Sequence, residues 1–114
     1  MKKERYQTKI DRTIYISIVK NYTTTPGGRY AKEGPFSGED FFNQILYPAY
    51  LQAKFTQKNI IIDLDDCIGY PSSFITGSFG LLLEKFPKQE VFSILKFTSQ
   101  KDPALPDKII KMLS

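Results

Sequence analysis

The sequence contains no histidine, no tryptophan and a single cysteine, Cys67. Without histidine, Ser-His-Asp and Cys-His catalytic arrangements are excluded within the chain, and the commonest metal ligand is lacking. One cysteine excludes an internal disulfide, a pattern typical of reducing compartments. These absences narrow the enzyme classes open to the chain, and we expect no catalytic residues, no metal site and no cofactor.

Long apolar runs are also lacking. No window approaches the roughly 20 apolar residues that a membrane span needs, and the basic residues 1–12 are not followed by an apolar stretch of signal-peptide character. We therefore expect a cytoplasmic protein with no membrane contact. Its 114 residues, 41% hydrophobic and 25% charged, predict one globular domain over residues 1–114 and leave the oligomeric state open.

The positive charge is confined to one end of the chain. Residues 1–20 contain six Lys or Arg and two acids, a net +4, whereas the remaining residues contain ten of each and sum to zero. A nucleic-acid-binding domain carries its charge across a folded face, so nucleic acid is not the expected partner. Residues 1–12 are expected to form a flexible or edge-strand N-terminus, with a basic arm that binds an acidic partner as the alternative.

The apolar patterns predict a sheet with helices between its strands. Strands are predicted at residues 13–19, 59–64 and 91–98, with a weaker one at 5–10, and the run at 59–64 is expected to be covered on both faces. Helices are predicted from Ser37, from Ser72 or Ser73 to about Phe86, and over residues 107–114, with Pro48 kinking or restarting the first. This order predicts an α/β fold whose mixed sheet has four to five strands.

The stretch GYPSSF, residues 69–74, contains two adjacent serines at the predicted start of the second helix. One serine is explained as an N-cap, whose hydroxyl accepts a bond from a free backbone N–H. The other is surplus and is a candidate for phosphorylation, because a helix N-terminus tolerates the added negative charge. Ser73, Gly77 and Gly80 form a small-residue stripe that either packs closely or leaves a shallow groove.

Two other segments carry groups that bind ligands in other proteins. The Gly-rich loop from Arg29 to Gly38 lacks a P-loop ending, and we expect it to pack beside the Ser72 helix start or to stay solvated and mobile. Asp63, Asp65 and Asp66 lie at the end of the central strand and are expected to shape a turn, with Mg²⁺ binding or a receiver-like phospho-acceptor site as the alternatives. Cys67 is expected to be a small buried apolar residue.

Residues 26–48 and 63–80 together resemble the STAS-like family of domains of unknown function, which is related to the anti-sigma-factor antagonists. The resemblance covers roughly residues 13–98 and implies a STAS-like α/β fold. In the antagonists, a serine at this helix start is phosphorylated by a histidine-kinase-like ATPase, and the unmodified form binds that kinase. Carried onto this chain, the acceptor is Ser72 with Ser73 beside it, while Pro71 stands where the antagonists have aspartate and Phe74 where they have glycine.

The resemblance implies a non-enzymatic regulatory domain that acts by protein–protein contact, with a histidine-kinase-like ATPase as the expected kind of partner. The predicted contact residues lie on the Arg29–Gly38 loop and around the Ser72 helix: Arg29, Gly34, Ser37, Gly38, Asp63, Pro71, Phe74 and Gly77. The alternative is a small nucleotide- or phosphate-binding protein that uses the Gly-rich loop with Arg29, Ser72 and Asp63.

Overall fold

A computed structural model of the chain describes residues 7–8 and 13–114. The strands are β1 (Gln7–Thr8), β2 (Thr13–Ser17), β3 (Asn59–Asp63) and β4 (Leu95–Thr98). The helices are α1 (Ile18–Asn21), α2 (Gly38–Phe41), α3 (Tyr47–Thr56), α4 (Ser72–Lys85), α5 (Lys88–Ile94) and α6 (Leu105–Met112), with a 3₁₀ turn at Ala31–Glu33 and a π-helical segment at Phe42–Leu46.

The body of the sheet is three parallel strands in the order β2, β3, β4. The two-residue β1 pairs antiparallel with β2 at one edge, as expected for the weak N-terminal strand. The sheet is therefore mixed and STAS-like, but the prediction of four to five strands is corrected to three parallel strands with this short addition. The predicted basic arm lies mostly outside the described residues and stays a prediction.

One face of the sheet holds the core. Ile14 and Ile16 of β2 and Ile60 and Ile62 of β3 have no exposed surface, and the buried faces of the helices pack on them. Ile61 points to the other face and is only half-buried. The expectation that β3 is covered on both faces is thus wrong for the described residues, because their helices bury the even-numbered side chains alone.

The first long helical segment runs from Gly38 to Thr56 through the π-helical turn. Pro48 lies in the first turn of α3 and has no N–H to donate. The chain widens before it, since the Tyr47 N–H bonds the carbonyl of Phe42, five residues back. The predicted restart at Pro48 therefore takes the form of a π-turn, and Phe41, Ile45 and Ala49, four residues apart along this segment, are buried.

The predicted strand over residues 91–98 is wrong in its first half. Helix α5 occupies Lys88–Ile94 and passes directly into β4 at Leu95. Pro87 precedes the helix, and the Glu90 carboxylate in its first turn accepts a 2.5 Å hydrogen bond from the buried Tyr50 hydroxyl. A short apolar run does not by itself separate helix from strand, and here this tertiary contact favours the helix.

Candidate functional site

Helix α4 begins at Ser72, as predicted, but neither serine caps it. Pro71 is the N-cap residue with an extended backbone, and no side chain forms a capping hydrogen bond to the free N–H groups of the helix. The Pro71 carbonyl accepts hydrogen bonds from Phe74 N–H and Ile75 N–H at 3.0 and 3.2 Å. The serine N-cap prediction is therefore wrong, because proline already fixes the extended entry that a cap residue adopts.

Neither serine side chain is therefore used to cap the start of α4. Ser72 is exposed and Ser73 is half-buried. The Thr76 hydroxyl bonds the Ser72 carbonyl at 3.0 Å, but neither serine hydroxyl has a hydrogen-bond partner within residues 13–114. The two hydroxyls are thus accessible and unengaged, with Ser72 the more open of the pair.

Four of the predicted contact residues are buried: Ser37, Gly38, Phe74 and Gly77. Ser37 caps α2 by accepting the Asp40 N–H at 3.0 Å, and Phe74 packs on the Phe41 ring with centroids 5.7 Å apart. This burial argues against direct contact of Ser37, Gly38 and Phe74 with a protein partner, whereas Gly77 lines a cleft beside α4.

The buried glycines allow close approach between segments that are distant in sequence. A Cβ on Gly38 would lie 2.4 Å from the Phe74 carbonyl oxygen, and one on Gly77 would lie 2.9 Å from Arg29 Cγ. A Cβ on Gly80 meets only Thr76 of its own helix, at 3.6 Å. The small-residue stripe of α4 therefore packs closely at Gly77 and leaves open space at Gly80.

The Arg29–Gly38 loop is structured and packs on α4, one turn beyond Ser73. The Gly38 N–H bonds the Gly28 carbonyl at 2.8 Å, and the Glu39 N–H bonds the Arg29 carbonyl at 2.9 Å. The Glu39 carboxylate accepts the Ala31 N–H at 2.9 Å. The loop is thereby attached to the start of α2, and the side chain of Arg29 and the backbone of Gly34 remain exposed.

Tyr22 links this loop to the core beneath α4. Its hydroxyl donates to Asp40 Oδ2 at 2.7 Å, and its ring contacts Phe36, Phe41 and Phe74. Burial, and then the hydrogen bond to Asp40, raise the pKa of the Tyr22 hydroxyl, so it stays a protonated donor. The hydroxyl therefore holds the loop and the α2 start in register.

Large apolar side chains are exposed around the first turns of α4. Ile68 is 83% exposed in the turn before the helix, and Pro71 is exposed beside it. Tyr30 and Phe36, on the neighbouring loop, are 47% and 43% exposed. Tyr30 lies farther along α4, beside Gly80 and Leu81. We call the exposed residues Ile68, Pro71 and Ser72 at the start of α4, together with Phe36 of the neighbouring loop, the α4 rim. Exposed apolar groups that cluster around a polar position mark interaction sites more often than scattered ones do.

Phe36 in this rim has a left-handed backbone, with φ of 57°. A bulky residue in this region is strained by about 1–2 kcal/mol, which the surrounding structure must offset. Its carbonyl accepts the Gly27 N–H at 2.8 Å, and its ring meets Tyr22 edge-on at 5.6 Å. These contacts fix an exposed aromatic ring in place.

Asp63 at the end of β3 and the following Asp65 and Asp66 shape the turn that leads to α4. The Asp63 carboxylate accepts the Asp65 N–H at 2.9 Å, and Asp66 pairs with Lys101. Hydrogen bonds from the Ser99 hydroxyl and the Gln100 N–H lower the pKa of the Asp65 carboxyl. These bonds fit the predicted turn role. Cys67 is only half-buried, with its thiol 3.5 Å from the Thr23 carbonyl oxygen.

The residues of the phosphate-binding alternative are not brought together. Asp63 lines a depression with Tyr15 and Ile61, whereas Arg29 lines a separate cleft beside α4, and Ser72 lines neither. The two acidic side chains of the Arg29 cleft, Glu39 and Glu84, disfavour an anion as well. No geometric observation therefore favours a phosphate ligand.

A family model described as a STAS-like domain of unknown function matches residues 37–104, more than half of the chain. This chain belongs to that family. The match includes the Ser37 cap, the β3 strand, the Ser72 helix start and β4, and it leaves the Arg29–Phe36 part of the loop outside. No curated protein and no solved structure matches the chain significantly. Among the described residues of this STAS-like domain, no helix is long and apolar enough to cross a membrane.

Proposed function

We propose that this STAS-like domain is a non-enzymatic, cytoplasmic regulatory domain that binds another protein through the α4 rim. The observation that carries the proposal is the combination of an unengaged, exposed Ser72 hydroxyl with the exposed apolar side chains of Ile68 and Pro71 just before it in the chain. Apolar groups in the centre of a contact surface contribute most of the binding energy of protein interfaces. The rim thus has the composition of a docking surface.

The surroundings of the serines support binding rather than catalysis. A serine nucleophile needs an adjacent base to remove its proton. Neither serine hydroxyl is bonded to a base within residues 13–114, and histidine is lacking from the whole sequence. The accessible hydroxyls are better suited to receive a group from another enzyme than to attack a substrate.

We further propose that Ser72 is a phosphorylation site that controls docking. A phosphate on Ser72 adds about −1.5 to −2 charge at neutral pH. The N-terminus of α4 stabilises such a charge by about 0.3–1 kcal/mol, so the fold tolerates it. The same charge next to Pro71, and close to Ile68 in the chain, opposes burial of the rim against a partner. The modification therefore changes binding and leaves the fold intact.

The family resemblance supports a kinase-like partner. In the related antagonists, a histidine-kinase-like ATPase both binds the domain and transfers phosphate to it. Ser72 is exposed at the start of α4 and is therefore accessible to such a protein. Pro71 and Phe74 differ from the antagonist pattern, and here Phe74 supports α4 from the core while Pro71 sets its first residue.

Incubation with ATP and candidate histidine-kinase-like ATPases will add one phosphate, detected by intact mass. We expect Ser72→Ala to abolish the addition, because Ser72 is the more accessible acceptor, and Ser73→Ala to preserve it. Ser93→Ala serves as a control, since Ser93 is an exposed serine elsewhere, on α5. Phosphate that persists in Ser72→Ala, or that maps to residues outside the α4 start, would count against the switch.

A further inference from the structure

A cleft of about 340 Å³ lies between the loop that follows Gly28 and the middle of α4. One wall is formed by Arg29 and Tyr30 of the loop and by Glu39 of α2. Five residues of α4 form the other wall: Thr76, Gly77, Gly80, Leu81 and Glu84. The volume is within the range of small-molecule sites. We call it the Arg29 cleft, and it lies beyond the α4 rim along the helix.

The cleft contains charges of both signs that do not neutralise one another. Across residues 13–114, Arg29 forms no ion pair within 4.0 Å, and neither do Glu39 and Glu84. One Glu39 oxygen accepts the Ala31 N–H, and the other is uncommitted. The Arg29 guanidinium and the Glu39 and Glu84 carboxylates therefore line one cleft without forming ion pairs with each other.

The cleft also has an apolar part next to open space. Leu81 and the exposed Tyr30 ring line it, and a Cβ added at Gly80 would enter open space there. Gly80 has no packing reason within the described chain, since the nearest neighbour of its added Cβ belongs to its own helix. A glycine weakens a helix, so its presence here fits a requirement for room above α4.

We infer that the Arg29 cleft binds a free α-amino acid with an apolar side chain. The Arg29 guanidinium matches a carboxylate in a two-point hydrogen bond. Glu84, with Glu39, attracts the ammonium group, and the side chain packs on Leu81 and Tyr30 over Gly80. The two acidic side chains repel a phosphate or a simple carboxylate, and Arg29 repels a simple amine. A ligand that carries both charges therefore fits best.

Binding is measured by titrating ¹⁵N-labelled full-length protein with L-leucine and following the amides of Gly77, Gly80 and Leu81. We expect saturable shifts at these amides. Two analogues keep the leucine side chain and lose one charge each: 4-methylpentanoate and 3-methylbutylamine. Each should bind about tenfold more weakly, because one charge-assisted contact is lost.

Matched variants separate this site from a general charge effect. Arg29→Gln and Glu84→Gln should each weaken leucine binding about tenfold. Lys85→Gln removes a charge next to Glu84, but Lys85 lies over the Tyr47 ring outside the cleft, so binding should be unchanged. Shifts that do not saturate, or that are equal for leucine and the two analogues, would overturn the inference. The measurement needs no kinase or protein partner and so stands apart from the proposed docking function.

Discussion

Replacing Phe74 with alanine will lower the free energy of unfolding by about 3–5 kcal/mol. The Phe74 side chain has no exposed surface and packs between the Phe41 and Tyr22 rings, with ring centroids 5.7 and 6.3 Å away. Alanine removes most of this ring contact and leaves a cavity under the first turn of α4. Urea unfolding followed by circular dichroism gives the difference directly.

Phe36→Ala is the control for this prediction. Phe36 is another aromatic residue that contacts Tyr22, but it is 43% exposed and has a strained backbone. We expect its replacement to change stability by less than about 1 kcal/mol, since surface substitutions have small effects. A small loss of stability in Phe74→Ala would mean that Phe74 is a surface contact residue, as the sequence pattern first indicated.

Gly38→Ala will destabilise the protein by about 3 kcal/mol, whereas Gly80→Ala will stabilise it by about 0.5–1 kcal/mol. The new Cβ at position 38 would lie 2.4 Å from the Phe74 carbonyl oxygen and 2.9 Å from the Gly77 carbonyl carbon, both backbone atoms. The start of α2 and α4 would have to separate. At position 80 the Cβ enters open space, and alanine favours the helix.

Thermal or urea unfolding of the two variants measures both signs in one experiment. The pair is informative because the same substitution is made at two positions near α4, one against neighbouring backbone and one in open space. Destabilisation by Gly80→Ala would show that the Arg29 cleft is closed by packing. An unchanged stability in Gly38→Ala would contradict the close approach of α2 and α4.

The local patterns predicted most elements of the fold. The capping serine at Ser37, the isoleucine-rich β3 and the Ser72 helix start are each encoded within a few residues, so their elements follow from the sequence alone. The π-turn before Pro48 and the helix α5 do not, because each depends on contacts or backbone adjustments that periodicity leaves undetermined.

The candidate site was only partly predictable for the same reason. The serine pair and the Gly-rich loop are visible in the sequence. Gly38 and Phe74, however, pack against each other only in the folded chain, because they are far apart in sequence. Ile68 lies in the predicted turn DDCIGYP, where the local sequence does not indicate whether an isolated apolar side chain is buried or exposed. Glu39 and Glu84 meet at the Arg29 cleft only because the loop folds over α4, and no sequence spacing indicates that meeting.

Site-specific photocrosslinking in cells tests the docking proposal most directly. A photoreactive phenylalanine analogue is placed at Ile68, 83% exposed in the α4 rim, or at Phe55, 80% exposed on α3. The two positions are equally accessible and apolar, so they differ only in location. We predict a discrete protein adduct from position 68, lost in Ser72→Glu, and none from position 55. Equal adducts from both positions, or none from position 68, would contradict a docking surface at the rim.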